Sequence, residues 1–223
     1  MQDIFNLFKN KDLLTTALTH RSALNEKIST STGSNERMEF LGDAVLELIT
    51  TKFLYDNHPE DQEGILTAYR SALVKTETLA LVSLEIGLGK ELYMSKGEEA
   101  TGGRTNLGIL ADSFEALLGA MYLDRGYDVV EKFLNEKLFL KLEEIKEKKL
   151  YRDGKSLLQE VAQAKGLGAP RYEVISEEGP DHDKQFTVAA FIGDKEMAQG
   201  TGRSKQVAQQ DAARQALEKF GQE

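Results

Sequence analysis

NERMEFLGDAVLELITTKF, residues 35–53, is the stretch whose reading decides the fold. Its apolar residues recur at helical spacing, so the pattern predicts a long helix. At 100° per residue, with Glu36 at zero, Glu39 falls near 300°, Asp43 near 340° and Glu47 near 20°. The four acids occupy one stripe of about 80°. Met38, Phe40, Leu41, Ala44, Val45, Leu46, Leu48 and Ile49 fill almost all the rest, with Arg37 the lone charge among them. A helix apolar on so many sides is expected at the centre of a bundle. One meaning of the stripe is an ordinary solvated face. Such a face usually interleaves Lys or Arg, however, and like charges three and four residues apart repel by a few tenths of a kcal/mol.

A second stretch repeats the pattern. ILADSFEALLGAMYL, residues 109–123, carries only Asp112 and Glu115 as charges, about 60° apart on the wheel. Gly119 lies between them in angle, so a close approach is expected there. An unpaired ionised carboxylate is costly to bury, and neither stretch supplies a basic partner for its acids. The spacing therefore suggests a divalent cation, Mg²⁺ or Mn²⁺, held by carboxylates and water. Four acids between helices suit a two-metal site for phosphodiester hydrolysis. A di-iron bundle uses similar acids but wants Glu-x-x-His, which is absent. Zinc is disfavoured, since there is no cysteine and the only histidines are at 20, 58 and 182.

The rest of the chain bounds these readings. It has 223 residues, enough for one large or two ordinary domains. No apolar run is long enough to span a membrane, and the N-terminus lacks the pattern of a signal peptide. With no cysteines, a reducing cytoplasm is the expected location. The net charge of −9 argues against a polyanion partner. Residues 151–223 hold 10 basic and 12 acidic side chains, net −2, which leaves −7 for residues 1–150. Any nucleic-acid site must therefore rest on local clustering or bound metal.

Two architectures follow one another. Residues 1–147 read as an all-α domain, broken by loops at 25–34, around Pro59 and at 95–104. A linker is expected at 148–152. Residues 153–223 read as a small α+β domain. There is a helix in KSLLQEVAQAKG, and strict alternation at Phe186, Val188, Ala190 and Ile192. A hairpin partner follows at 196–201. A last helix shows one apolar face, Ala208, Ala212, Ala213, Ala216, Leu217 and Phe220. The order α-β-β-β-α suits a two-layer domain with both helices on one sheet face.

NERMEFLGDAVLEL closely resembles the signature of ribonuclease III. ALTHRSA (17–23), GEEATGGR (97–104) and ILADSFEALLGAMYLD (109–124) agree with it. DGKSLLQE (153–160), PRYEV (170–174), GPDHDKQF (179–186) and GTGRSKQVAQQDAARQAL (200–217) resemble a double-stranded-RNA-binding domain. The resemblance implies a homodimer, dimeric through its helical domain, that hydrolyses both strands of an RNA duplex. Its products would carry 5′-phosphate and 3′-hydroxyl ends. It implies work in RNA processing and turnover, rRNA processing included, and no nucleotide cofactor. The family's metal-binding acids fall on Glu39, Asp43, Asp112 and Glu115. Glu39, Asp112 and Glu115 would hold Mg²⁺, and Asp43 would position or activate water. Glu36 and Glu63 map to the family's remaining acids, with positioning roles. In the tail, Gln159 and Glu160 would meet 2′-hydroxyls and base edges, His182 the next minor groove, and Ser204 and Lys205 a phosphate. His20, in LTHRS, reads as a hydrogen-bonded structural residue.

Two positions depart from the family pattern. Gln206 stands where a second basic residue is usual, so one phosphate contact is lost and a shallow salt dependence is expected. Gly108 stands where serine is common. The alternative to the enzyme is a non-catalytic duplex-RNA-binding dimer, for which unpaired acids at 39, 43, 112 and 115 would serve no purpose.

Overall fold

The computed structural model describes residues 2–26, 28–31, 33–180 and 184–220. They fall into two compact units, Met1–Tyr151 and Arg152–Glu223. The first is built from α1 (Gln2–Leu7), α2 (Lys11–Ala17), α3 (Ser22–Glu26), α4 (Glu36–Asn57), α5 (Glu63–Val74), α6 (Thr76–Glu85), α7 (Leu88–Glu91), α8 (Lys96–Ala100), α9 (Leu107–Arg125), α10 (Tyr127–Lys137) and α11 (Lys141–Glu147). An isolated parallel bridge joins Thr19 to Tyr93. Among the described residues no helix is long and apolar enough to cross a membrane.

The axis of this unit is α9. Asn106 caps its start, with Oδ1 accepting the Ile109 N–H at 3.2 Å, and Gly126, at φ +79°, ends it. Leu110, Phe114, Leu117, Leu118 and Met121 are fully enclosed. Helix α4 crosses α9 in backbone contact. A Cβ at Gly42 would overlap the Glu115 carbonyl, and one at Gly119 would overlap that of Met38. The close approach expected at Gly119 is therefore made by α4 itself. Its partner Gly42 costs α4 about 1 kcal/mol of helix propensity, which the contact explains.

Three expectations change here. Helix α4 is not enclosed on every side. Met38, Val45, Leu46, Ile49 and Leu54 are buried, but Phe40 is 83% exposed, Leu48 60% and Tyr55 74%. Glu47 is not an unpaired acid of the stripe, since Arg70 of α5 pairs with it at 3.1 Å. A wheel of α4 alone could not show that partner. Residues 95–104 are not all loop. The Ser95 hydroxyl accepts the Glu98 N–H at 3.1 Å and starts α8, and this Ser-x-x-Glu cap outweighs the local glycines.

After α11 the chain turns through Lys149, at φ +52°. Tyr151 packs edge-on against Tyr69, 4.7 Å between ring centres. The division between units lies just beyond, within residues 148–152.

The second unit runs α12 (Gly154–Ala164), β1 (Arg171–Glu178), β2 (Gln185–Ile192), β3 (Lys195–Gly202) and α13 (Lys205–Phe220). The strands form an antiparallel sheet in sequential order, and Gly193, at φ +58°, makes the tight β2–β3 turn. Leu158 and Ala162 of α12 and Ala212, Ala213, Ala216 and Phe220 of α13 close one core. They pack over Ala190, Ile192, Met197 and Ala198 of the sheet. Both helices thus lie on one sheet face.

Candidate metal centre

The Gly42–Gly119 crossing decides where the acids meet. Glu39 lies one turn before Gly42 on α4, and Glu115 one turn before Gly119 on α9. Bringing the two backbones into contact brings these side chains together. Glu39, Asp112 and Glu115 each offer a carboxylate oxygen, all within 4.8 Å of one another. Among the described residues none of the three is paired with a base.

Their electrostatics follow from this crowding. Burial pushes the Glu115 carboxyl up to about 8, and the charges of Asp43, Asp112, Glu39 and Glu47 add to the shift. Glu39 is raised by burial, then by Asp112, Glu36 and Asp43. Asp112 is raised by burial, against a lowering influence from His20. Like-signed groups forced together without a counter-charge favour either protons or a cation. All-oxygen donors from two rigid helices suit a hard divalent ion.

The other expected acids sit differently. Asp43 is exposed, one turn beyond Glu39, and its charge acts on both Glu39 and Glu115. Its oxygens lie outside the converging set. Glu36 is exposed at the mouth, accepting the Ser34 hydroxyl at 2.7 Å with Arg21 3.8 Å away. A cavity of about 430 Å³ opens there, lined by Glu36, Glu39 and Asp112 together with His20, Asn35 and Asn106. Glu63 opens α5, accepts the Thr67 hydroxyl at 2.9 Å and is not among the cavity-lining residues. Two features of the centre escaped the sequence reading. One is Gly42, which a glycine inside a long apolar helix should have flagged. The other is the fixing of His20 by Ser22.

In the second unit, Gln159 and Glu160 are exposed on α12. Arg152 already grips Glu160 through two hydrogen bonds of 2.7 and 2.6 Å. The Ser204 hydroxyl accepts the Val207 N–H at 3.2 Å and opens α13. Lys205 is exposed, its ammonium 5.7 Å from the centre of the Phe186 ring. His182 lies outside the described residues. Gly200 and Gly202 of β3 let α13 lie directly on the strand, because a Cβ at either would strike α13 backbone.

Comparison with known proteins agrees along the whole chain. Residues 10–142 match the Ribonuclease-III-like family, and residues 155–220 match the double-stranded RNA binding motif. Ribonuclease 3 of Bdellovibrio bacteriovorus is 44% identical over 212 residues, 95% of this chain and 90% of the relative. Ribonuclease 3 of Geobacter sulfurreducens is 46% identical over 213 residues, 96% of this chain and 86% of the relative. Among solved structures, the nuclease domain of ribonuclease III from Campylobacter jejuni superposes with a TM-score of 0.55. It has 37% identity, covering 60% of this chain and 90% of that one. With its crossed acidic helices followed by a double-stranded-RNA-binding unit, the chain belongs to the ribonuclease III family of endoribonucleases.

Proposed function

We propose that the chain hydrolyses both strands of double-stranded RNA in a divalent-metal-dependent reaction that leaves 5′-phosphate and 3′-hydroxyl ends. The observation that carries this reading is the convergence of Glu39, Asp112 and Glu115 without a basic partner among the described residues. These three would hold Mg²⁺, and Mn²⁺ would substitute. When bound, the ion lowers the pKa of a coordinated water and offsets charge developing on the phosphate. Asp43, exposed one turn from Glu39, would accept a hydrogen bond from the attacking water and orient it. Glu36 at the mouth and Glu63 on α5 would position the strand. Gln159, Glu160, His182, Ser204 and Lys205 would hold the duplex by its minor groove and phosphates.

A second copy of the chain completes this reading. Phe40, Ala44, Leu48 and Tyr55 form an exposed apolar stripe on α4, contiguous with the acids on the wheel. A contiguous exposed apolar stripe suits an interaction surface. One Campylobacter jejuni neighbour is described by a region involved in dimer formation of its nuclease domain. Two-fold pairing suits a duplex whose strands are antiparallel, one centre for each. RNA processing in the cytoplasm is the matching cellular role.

The deciding experiment incubates a long perfect RNA duplex with Mg²⁺, then with EDTA, and maps the product ends. Metal-dependent cutting of both strands to 5′-phosphate fragments supports the proposal. Retarded but intact duplex under every metal condition would identify a non-catalytic RNA-binding dimer instead.

A further inference from the structure

Beside the acids, one imidazole is held in a single tautomer. The Ser22 backbone N–H points at His20 Nδ1 at 3.3 Å, and the Ser22 hydroxyl lies 2.8 Å from the same nitrogen. A backbone N–H can only donate. Nδ1 is therefore the acceptor, and the proton of the neutral ring sits on Nε2. The Ser22 hydroxyl itself accepts the Ser95 N–H at 3.0 Å, which leaves its one proton for Nδ1. The backbone is pinned as well, with His20 N–H donating to the Tyr93 carbonyl and Tyr93 N–H to that of Leu18, both at 2.9 Å. Two chain segments, residues 18–22 and 93–95, thus fix one ring.

That ring is half-buried and lines the same cavity as Glu36, Glu39 and Asp112. Glu36, Glu39 and Asp112 are among the carboxylates lining this cavity, and Nε2–H is the ring's one remaining donor. Asp112 shares that cavity with the ring. It is also the most exposed of the three converging acids, so packing does least to fix its rotamer. A metal ligand that packing leaves free needs a hydrogen bond to hold it.

Resting on the metal-centre reading above, we propose that His20 is a positioning residue, whose Nε2–H holds the Asp112 carboxylate in place as a metal ligand, with Ser22 setting the tautomer. The ring does not touch the ion and transfers no proton. Its loss weakens metal binding before RNA is present, which a purely structural histidine would not do.

The test uses the full chain, with metal binding measured in the absence of RNA. Mn²⁺ affinity is measured by titration calorimetry, alongside the melting temperature in EDTA, for the parent, His20→Ala, His20→Gln, Ser22→Ala and Glu115→Gln. His20→Ala is expected to weaken Mn²⁺ by about 10–100-fold. His20→Gln, whose amide keeps a donor, and Ser22→Ala, which frees the tautomer, should fall between. Duplex retardation in EDTA should not change. Mn²⁺ affinity within about twofold of the parent in His20→Ala, with only the melting temperature lowered, would overturn the proposal. If that variant does not fold, parent-like affinity in both His20→Gln and Ser22→Ala overturns it equally. A parent that binds no Mn²⁺ sinks the metal centre and this proposal together. A parent that binds, beside a Glu115→Gln that does not, leaves the centre standing and isolates the histidine.

Discussion

Both units press a helix against bare backbone, and they use the closeness for opposite purposes. In the first, Gly42 and Gly119 let α4 and α9 touch, and the contact draws Glu39, Asp112 and Glu115 into one cluster. In the second, Gly200 and Gly202 let α13 lie on β3, and the contact leaves Ser204 and Lys205 outside, facing water. One crossing concentrates like charge and the other only fills a core with alanine. Tight packing is therefore not in itself a sign of chemistry. What marks the first crossing is the strain it imposes on its own carboxylates, which the proposed cation would relieve.

The sharpest way to break this contrast is at Glu115. Glu115→Gln should slow duplex cleavage by about 10³-fold or more, since a ligand to the ion is worth several kcal/mol of transition-state stabilisation. Duplex retardation in EDTA should be unchanged. Normal cutting by this variant would remove Glu115 from the centre. Gly42→Ala should come next. Overpacking at the crossing costs about 1–3 kcal/mol, lowering the melting temperature of the first unit by about 5–10 °C, and Mn²⁺ affinity should fall with it. Gly200→Ala should destabilise the second unit comparably and leave Mn²⁺ affinity alone. If both glycine variants spare the metal, the crossing does not build the centre.

The pH dependence probes the same strain. Glu115 titrates near 8 in the folded chain, against an ordinary 4.5. Between those values the folded state keeps a proton that the unfolded state has released. The metal-free protein should thus lose stability as pH rises from about 5 to 9, melting on the order of 5 °C lower at the upper end. Binding a cation demands the ionised acids, so saturating Mg²⁺ should flatten the trend. The second unit has no such cluster among its described residues, and its melting should not follow this curve. A flat metal-free curve would mean that the three acids are not crowded.

How much of this was legible in the sequence differs between the units for a physical reason. The α-β-β-β-α order could be read because each of its elements shows its own period, and one core face answers it. In the first unit the acids at 39, 112 and 115 stood out because no basic residue is interleaved with them on their own helix faces. What a wheel cannot show is what lies opposite. Arg70 pairs with Glu47 from another helix, and Gly42 faces Gly119 only once the helices cross. The apolar excess of α4 was visible, but it was assigned to the interior. Phe40 and Leu48 instead stand exposed, where the proposed second copy would cover them. Phe40→Asp should accordingly weaken self-association by about 30-fold or more, as loss of an aromatic anchor does, measured by sedimentation equilibrium.

The smallest expected effect lies at Lys205, and there the contrast between the units becomes quantitative. The second unit carries a net charge of −2 and has Gln206 where a second cation is usual. Its ammonium at Lys205 is exposed and lies over the Phe186 ring. A single lysine opposite phosphate accounts for about one released counterion. Lys205→Ala should therefore lower the slope of log affinity against log salt by about 1, weakening binding almost equally for every duplex sequence. Gln206→Lys should steepen the slope by a similar amount. Neither change should move the Mn²⁺ affinity of the first unit. If Lys205→Ala altered metal binding, or left the salt slope untouched, charge would not be divided between the units as their two crossings imply, with cations binding inside one and phosphates outside the other.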